Sequence, residues 1–309
     1  MFNLIEEKNK YLAVCENLKK LSTLTLKAYR IDLHQFCNFM INKNCLNKEE
    51  IVLYINSLQK QYKPKSAKRK IACIKAFYRY MEMEDIIESN PFHKIKLKYK
   101  VPLKLPKTIP LSYIQDILIY AYKQYSEAVT SLQKELTLRN IIVIELLFST
   151  GMRVSELSKL KTSAVNLNDK TIRIVGKGSK ERIMCISDYL SNIIYKYLLA
   201  RSYNIDFLLV NRLHNRLSEQ SIRYTINNYA SAVGVPMHIT PHMFRHTFAT
   251  ELHNQDVDIR YIQQFLGHAS IATTQIYTYI STNKIRDILE SRHPRQKMNI
   301  LIFNDNTYT

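Results

Sequence analysis

Thr171-Ile172-Arg173-Ile174-Val175-Gly176-Lys177-Gly178-Ser179-Lys180-Glu181-Arg182 is the stretch on which the fold turns. Polar and apolar side chains alternate from Thr171 to Val175, the period of a half-buried strand. Gly176 to Lys180 then read as a turn, and a second strand is expected near 181–186. Helical spacing surrounds this hairpin. Helices are expected around 111–125, 134–149 and 153–161, and further ones follow to about residue 290. A lone hairpin among helices predicts a mainly α fold with a small antiparallel β-sheet.

Upstream, the texture changes twice. From Lys94 to Pro110 six lysines appear with no acid among them, and Pro102, Pro106 and Pro110 forbid a continuous helix. This reads as a basic linker, suited to lying along DNA or simply to solvation. Before it, three helical patterns fill the first ninety residues. One sets Leu26, Tyr29, Leu33, Phe36 and Met40 inward after a Ser22/Thr23 start, and a second sets Ile51, Tyr54, Ile55 and Leu58 on one face. The third buries Ile71, Ile74, Phe77 and Met81 and crowds Lys65, Lys68, Arg69, Lys70, Lys75 and Arg79 on the rest. With no acid between Lys63 and Arg79, those cations are expected to meet phosphates. The expected organisation is a helical domain at 1–93, a linker at 94–110, a larger domain at 111–297 and a tail at 298–309.

Bulk properties narrow the partners. A formal net charge of +19 on 309 residues favours a polyanion, although a solubilising basic surface would look similar. Five scattered cysteines without a CxxC pair argue against a disulfide framework or a structural zinc site, and fit a reducing cytoplasm. No signal peptide is expected. The longest apolar run, Ile141 to Phe148, is broken by Glu145 and too short to span a bilayer, so no membrane partner is expected.

Four clusters in the second domain carry chemistry. They are Thr150-Gly151-Met152-Arg153-Val154-Ser155-Glu156-Leu157, the Lys177 turn, Thr240-Pro241-His242-Met243-Phe244-Arg245-His246-Thr247-Phe248, and Leu266-Gly267-His268-Ala269-Ser270 followed by Thr273 to Thr278 around Tyr277. Thr240 and Pro241 mark a helix start, which sets His242 and Arg245 on one face of its first turn. The partial positive charge of a helix N-terminus adds to theirs and suits an anion such as a phosphodiester. An ordinary capped helix with surface charge would show the same letters. His242 and His246 have the spacing of a helical zinc pair, but Met243 replaces the glutamate a metalloprotease requires. Thr171 stands where a phosphate-binding Walker loop opens with glycine, and no dense set of acids suggests a two-metal nuclease.

Taken together and in this order, the four clusters resemble the active site of the tyrosine recombinase (phage integrase) family, and its Xer-like members in particular. The likeness covers nearly the whole chain. Leu21-Ser22 and Thr25 to Leu33 resemble the start of that family's core-binding, SAM-like domain, and His293-Pro294-Arg295 resembles an ending common among Xer proteins. The resemblance implies that Arg153 and Arg245 grip a scissile phosphate and that Lys177 is the hairpin lysine. It makes His242 and His268 the two active-site histidines and Tyr277 the nucleophile. Cys185 and Tyr279 depart from residues frequent in relatives, at positions that are not catalytic in the family.

Implied with these roles is a site-specific DNA recombinase that works through a 3′-phosphotyrosine without metal, ATP or other cofactor. Integration or excision, inversion and chromosome dimer resolution all fit. The implied partner is double-stranded DNA, bound by a homotetramer on two recombination sites or by a heterotetramer with a paralogue. Ile285, Ile288 and Leu289 could form the apolar side of a segment that docks on a neighbour, while the apolar tail Met298 to Phe303 either docks likewise or tucks against its own domain. Glu156 is expected to orient the site, a surface ion pair being the alternative. Two rival readings are a non-catalytic DNA-binding protein of this fold and a type IB topoisomerase.

Overall fold

The computed structural model describes residues 3–95, 107–176, 181–201, 203–255, 257–267 and 282–298. Two compact units emerge, Met1–Lys104 and Leu105–Thr309. The first holds α1 (Leu4–Asn17), α2 (Thr23–Phe39), α3 (Lys48–Gln61) and α4 (Pro64–Met83), then a single 3-10 turn at Pro91–Lys94. Side chains of Asn3, Ser22 and Asn47 cap the first three of these helices, and Pro64 opens the fourth. Every inward residue expected on α3 and α4 is buried, and on α2 only Tyr29 stays half-buried. Each large side chain so removed from water contributes about 1.5–3 kcal/mol of transfer free energy.

Helix α1 escaped the sequence reading. Its buried side chains are Glu7, Tyr11, Leu12 and Cys15, a stripe with too few aliphatic residues to stand out by period. The reading of the α4 cations also needs correction. Lys70 is not free for phosphate, while Arg69, its side chain 47% exposed, shares the same acid and stays open to solvent. Both bind Asp32 of α2, with Lys70 Nζ 2.9 Å from Asp32 Oδ1 and 2.6 Å from Gln35 Oε1. Lys70 lies three residues after buried Ala67 and four before Ile74, so it faces α2, and the acid that answers it sits on another helix. Lys65, Lys68, Lys75 and Arg79 remain exposed.

The second unit contains α5 (Leu111–Ser126), α6 (Ser131–Thr150), short α7 (Val154–Ser158), strands β1 (Val165–Asn166), β2 (Thr171–Val175) and β3 (Glu181–Cys185), then α8 (Asp188–Ala200), α9 (Glu219–Ala232), α10 (Pro241–Asn254), α11 (Ile259–Leu266) and α12 (Thr282–Arg292). A mainly α chain with one small antiparallel sheet is what the hairpin implied. The sheet runs β1-β2-β3, with Ile172 opposite Met184 and Val175 opposite Glu181. Two-residue β1 is too short to read from sequence.

Helix α6 is the centre of this unit, with α5, α8 and α10 packed around it. That position explains its eight-residue apolar run, since a helix covered on every side needs no polar stripe. Glu145, inside that run, accepts hydrogen bonds from Tyr122 Oη at 3.1 Å and Arg295 Nε at 3.2 Å. Burial pushes the Glu145 carboxyl up from its ordinary pKa, and the Arg295 cation opposes that shift. One residue pair away, His293 Nε2 donates to the Ser149 carbonyl at 3.1 Å while its Nδ1 accepts from the Arg295 backbone N–H. The chain ending is thereby fastened to α6. Leu289 and Met298 belong to this unit's own core, and Ile288 packs against it. Ile288 and Leu289 are therefore engaged by their own domain rather than free to dock, and Met298 fits the alternative in which the tail tucks against its own domain; the Ile285 side chain and residues 299–303 lie outside the described residues. Among the described residues no helix is long and apolar enough to cross a membrane.

Candidate active site

Gly151 makes the turn from which the site is built. It ends α6 in the left-handed region at φ +57°, and a Cβ there would lie 2.6 Å from Phe248 Cδ1. Only glycine suits both conditions. The turn sends Met152 into the core and leaves Arg153 as the N-cap of α7. Three residues on, the Glu156 carboxylate reaches back, accepting from the Arg153 backbone N–H at 2.8 Å and from Arg153 Nη1 at 2.8 Å. This satisfies an amide at the helix start and fixes a guanidinium with the same side chain.

Glu156 is no surface ion pair. Its side chain is only 4% exposed, and Arg182 of β3 reaches it with Nη2 at 2.7 Å and Nη1 at 3.2 Å. Burial drives the Glu156 carboxyl up, but the Arg182 and Arg153 hydrogen bonds outweigh it and hold the group below its ordinary pKa. Arg182 Nε also donates to the Phe265 carbonyl at 2.8 Å. Arg245 of α10 takes the next carbonyl, Leu266, through Nη2 at 2.5 Å, and Gly151 through Nη1 at 2.9 Å. Two arginines thus hold successive carbonyls at the C-terminus of α11, where cations are favoured. Gly267 closes that helix in the left-handed region at φ +61°.

The electrostatics follow from the count. Three guanidiniums against one carboxylate leave an excess of two positive charges. Burial pushes Arg245 down to about 10, with Arg153 and Arg182 adding to the fall and Glu156 opposing it. It is still a cation at neutral pH. Arg153 differs from its neighbours in access: its side chain is 32% exposed, and no partner is found for its Nε and Nη2 among the described residues.

His242 is exposed in the first turn of α10, three residues before Arg245. His246 is half-buried behind it, its pKa lowered by burial and then by His242 and Arg245. Thr240 occupies the N-cap as expected, yet its side chain accepts no capping hydrogen bond. Pro241 brings no N–H and the Met243 amide already donates to the Thr240 carbonyl at 2.9 Å, so this turn offers an anion the positive end of the α10 dipole rather than a row of free amides. Lys177, His268 and Tyr277 lie outside the described residues. In sequence Lys177 falls between β2 and β3, and His268 directly follows the Gly267 cap. Among the described residues no group of three or more His, Cys, Asp or Glu is placed to hold a metal ion.

Arg182 stands in the hairpin stretch, but no local motif marks it as part of the site. A signal was there: alternation along β3 puts Arg182 on the same face as buried Met184, and an inward arginine calls for a buried acid. Glu145 and the role of Arg295 passed unread for a similar reason, since 150 residues separate the partners.

The phage integrase family model matches residues 120–284, and the model of the phage integrase N-terminal SAM-like domain matches residues 9–85. The chain belongs to the phage integrase family and is an enzyme of the tyrosine recombinase type. Among particular relatives, a tyrosine recombinase of Agathobacter rectalis is 48% identical over 96% of this chain and 99% of its own length. The tyrosine recombinase XerD of Listeria innocua is 34% identical over 90% of this chain and 95% of its own length. A crystal structure of a lambda integrase tetramer bound to a Holliday junction shares the fold, with a TM-score of 0.66 at 17% identity over 92% of this chain and 81% of that one.

Proposed function

We propose that this chain is a site-specific DNA recombinase that cuts with Tyr277 and reseals the strand to a new partner, using neither metal nor ATP. The observation that carries the reading is the cluster of Arg153, Arg182 and Arg245 around Glu156, with His242 one turn from Arg245. Arg153 and Arg245 supply planar, paired donors that match the non-bridging oxygens of a phosphodiester, a geometry lysine lacks. Tyr277 Oη attacks phosphorus as the bond to O5′ breaks. His242 accepts the phenol proton, Lys177 supplies one to O5′, and His268 adds a donor to the phosphate. Ionising a free tyrosine at neutral pH costs roughly 4 kcal/mol, which the surrounding cations offset. The 3′-phosphotyrosine keeps the energy of the broken bond, so rejoining is the same step in reverse.

Double-stranded DNA as partner is supported by the charge of +19 and by exposed Lys65, Lys68, Lys75 and Arg79 on α4. In this account residues 1–93 bind the core site, 94–110 form a basic strap, 111–297 carry the chemistry and 298–309 are a tail. The lambda integrase tetramer on a Holliday junction supports action as a tetramer on two sites; a homotetramer, or a heterotetramer with a paralogue, working in the cytoplasm completes the proposal. Integration or excision, inversion and dimer resolution are outcomes of one chemistry. Tyr277→Phe is expected to bind DNA with unchanged affinity and form no covalent adduct on a nicked suicide substrate, while the wild-type chain forms it in EDTA. An adduct that persists in the variant, or one that chelation abolishes, overturns the reading.

A further inference from the structure

We propose that Arg182 is a positioning residue for strand cleavage, one that occupies Glu156 so that Arg153 keeps its charge and its outer N–H groups for the scissile phosphate. The proposal rests on the phosphate-clamp reading above and adds a residue to it. Arg153 and Arg182 share one carboxylate: Oε1 accepts from both Nη1 atoms, and Oε2 accepts from Arg182 Nη2 and the Arg153 amide. Their access is unequal. The Arg182 side chain is 10% exposed against 32% for Arg153, and its Nε, Nη1 and Nη2 are all engaged by the Phe265 carbonyl and Glu156, so Arg182 acts through its partner.

Take Arg182 away and, among the described residues, Arg153 is the one cation still hydrogen-bonded to Glu156, with Arg245 acting on it only through space. A carboxylate and one guanidinium close into a bidentate pair, which neutralises Arg153 and turns its donors inward. With Arg182 present the carboxylate is already matched, and Arg153 stays available. Arg182 is itself held in place by the Phe265 carbonyl and by Gly267, whose missing side chain leaves room for it: a Cβ there would stand 3.2 Å from Arg182 Nη1. The guanidinium therefore ties three elements, β3, α7 and the end of α11, to the group that orients the clamp.

A test that mere folding would not answer varies the charge of the phosphate. Single-turnover cleavage is measured for the full chain and Arg182→Met on suicide substrates whose scissile linkage is a phosphodiester or an uncharged methylphosphonate. The variant is expected to cleave the diester about 100-fold more slowly than wild type, the scale of losing one preorganised donor. On the methylphosphonate the gap is expected to shrink to roughly threefold, because no charge remains for Arg153 to neutralise. Should Arg182→Met fail to fold, Arg182→Lys carries the same comparison, with about a tenfold diester defect expected from the lost planar fork. A wild-type rate on the diester, or equal defects on both linkages, overturns the proposal. Normal Arg182 variants beside an impaired Arg153→Lys sink only the positioning role; a wild-type chain that forms no adduct sinks the clamp reading itself.

Discussion

His293 lies between the rings of Phe148 and Phe248, donating through Nε2 to Ser149 and accepting at Nδ1 from Arg295. With one nitrogen a donor and the other an acceptor the imidazole is neutral, and burial pushes its pKa down to about 4. The unfolded chain takes up that proton first, near pH 6.5, so stability is complete above that value and declines as pH falls towards 4. The decline approaches about 1.4 kcal/mol per pH unit for this one group. Urea denaturation between pH 7 and 5 is expected to show a shallower pH slope for His293→Gln than for wild type. Equal slopes would mean the imidazole is charged or accessible in the folded state. At this scale the sequence revealed the residues whose letters form local motifs, such as Gly151 with Arg153 and His242 with Arg245. Arg182 stayed silent because its meaning depends on Glu156, reached only when β3 folds against α7.

Helix α6 and the turn at Pro294–Lys297 illustrate what elements add. Glu145 interrupts an otherwise apolar helix and is tolerated because Arg295 arrives from the chain ending, with side-chain exposures of 2% and 15%. Removing one member of such a pair strands the other: Arg295→Met is expected to destabilise the protein by about 3–5 kcal/mol. Replacing Glu145 by Met in that background should return most of the loss, since two apolar residues leave no buried charge. A chemical denaturation series on the single and double variants decides it, and additive losses would contradict the pairing. Elements with a strong period were legible, α3, α4 and β2 among them. Helix α1 was not, because its buried face carries Glu7 and Cys15 beside Tyr11, and β1 was too brief to have a period at all.

Over the whole molecule, two units and a strong positive charge set the behaviour. The charge alone does not say which cations meet a partner. Arg69 and Lys70 turned out to be paired with Asp32, so the footprint on α4 is smaller than the letter count suggested. Lys65, Lys68, Lys75 and Arg79 remain exposed on α4, and others elsewhere in a chain of net charge +19 make up six or more phosphate contacts. DNA affinity is therefore expected to fall by about 10³-fold between roughly 50 and 200 mM salt. A flat salt response would remove the basic face from the account. The fold class was readable because one hairpin stood alone among helices, whereas cross-helix ion pairs were not, since they are written in no local pattern.

The chain holds 21 tyrosines, which makes the identity of the attacking one a sharp question. Trapping the wild-type chain on a nicked suicide substrate, digesting the complex and sequencing the peptide that carries the nucleotide answers it. The account requires that peptide to span Tyr277, with the phosphate on its phenol oxygen. A nucleotide on any other residue, or no trapped complex from an intact, DNA-bound protein, would contradict it.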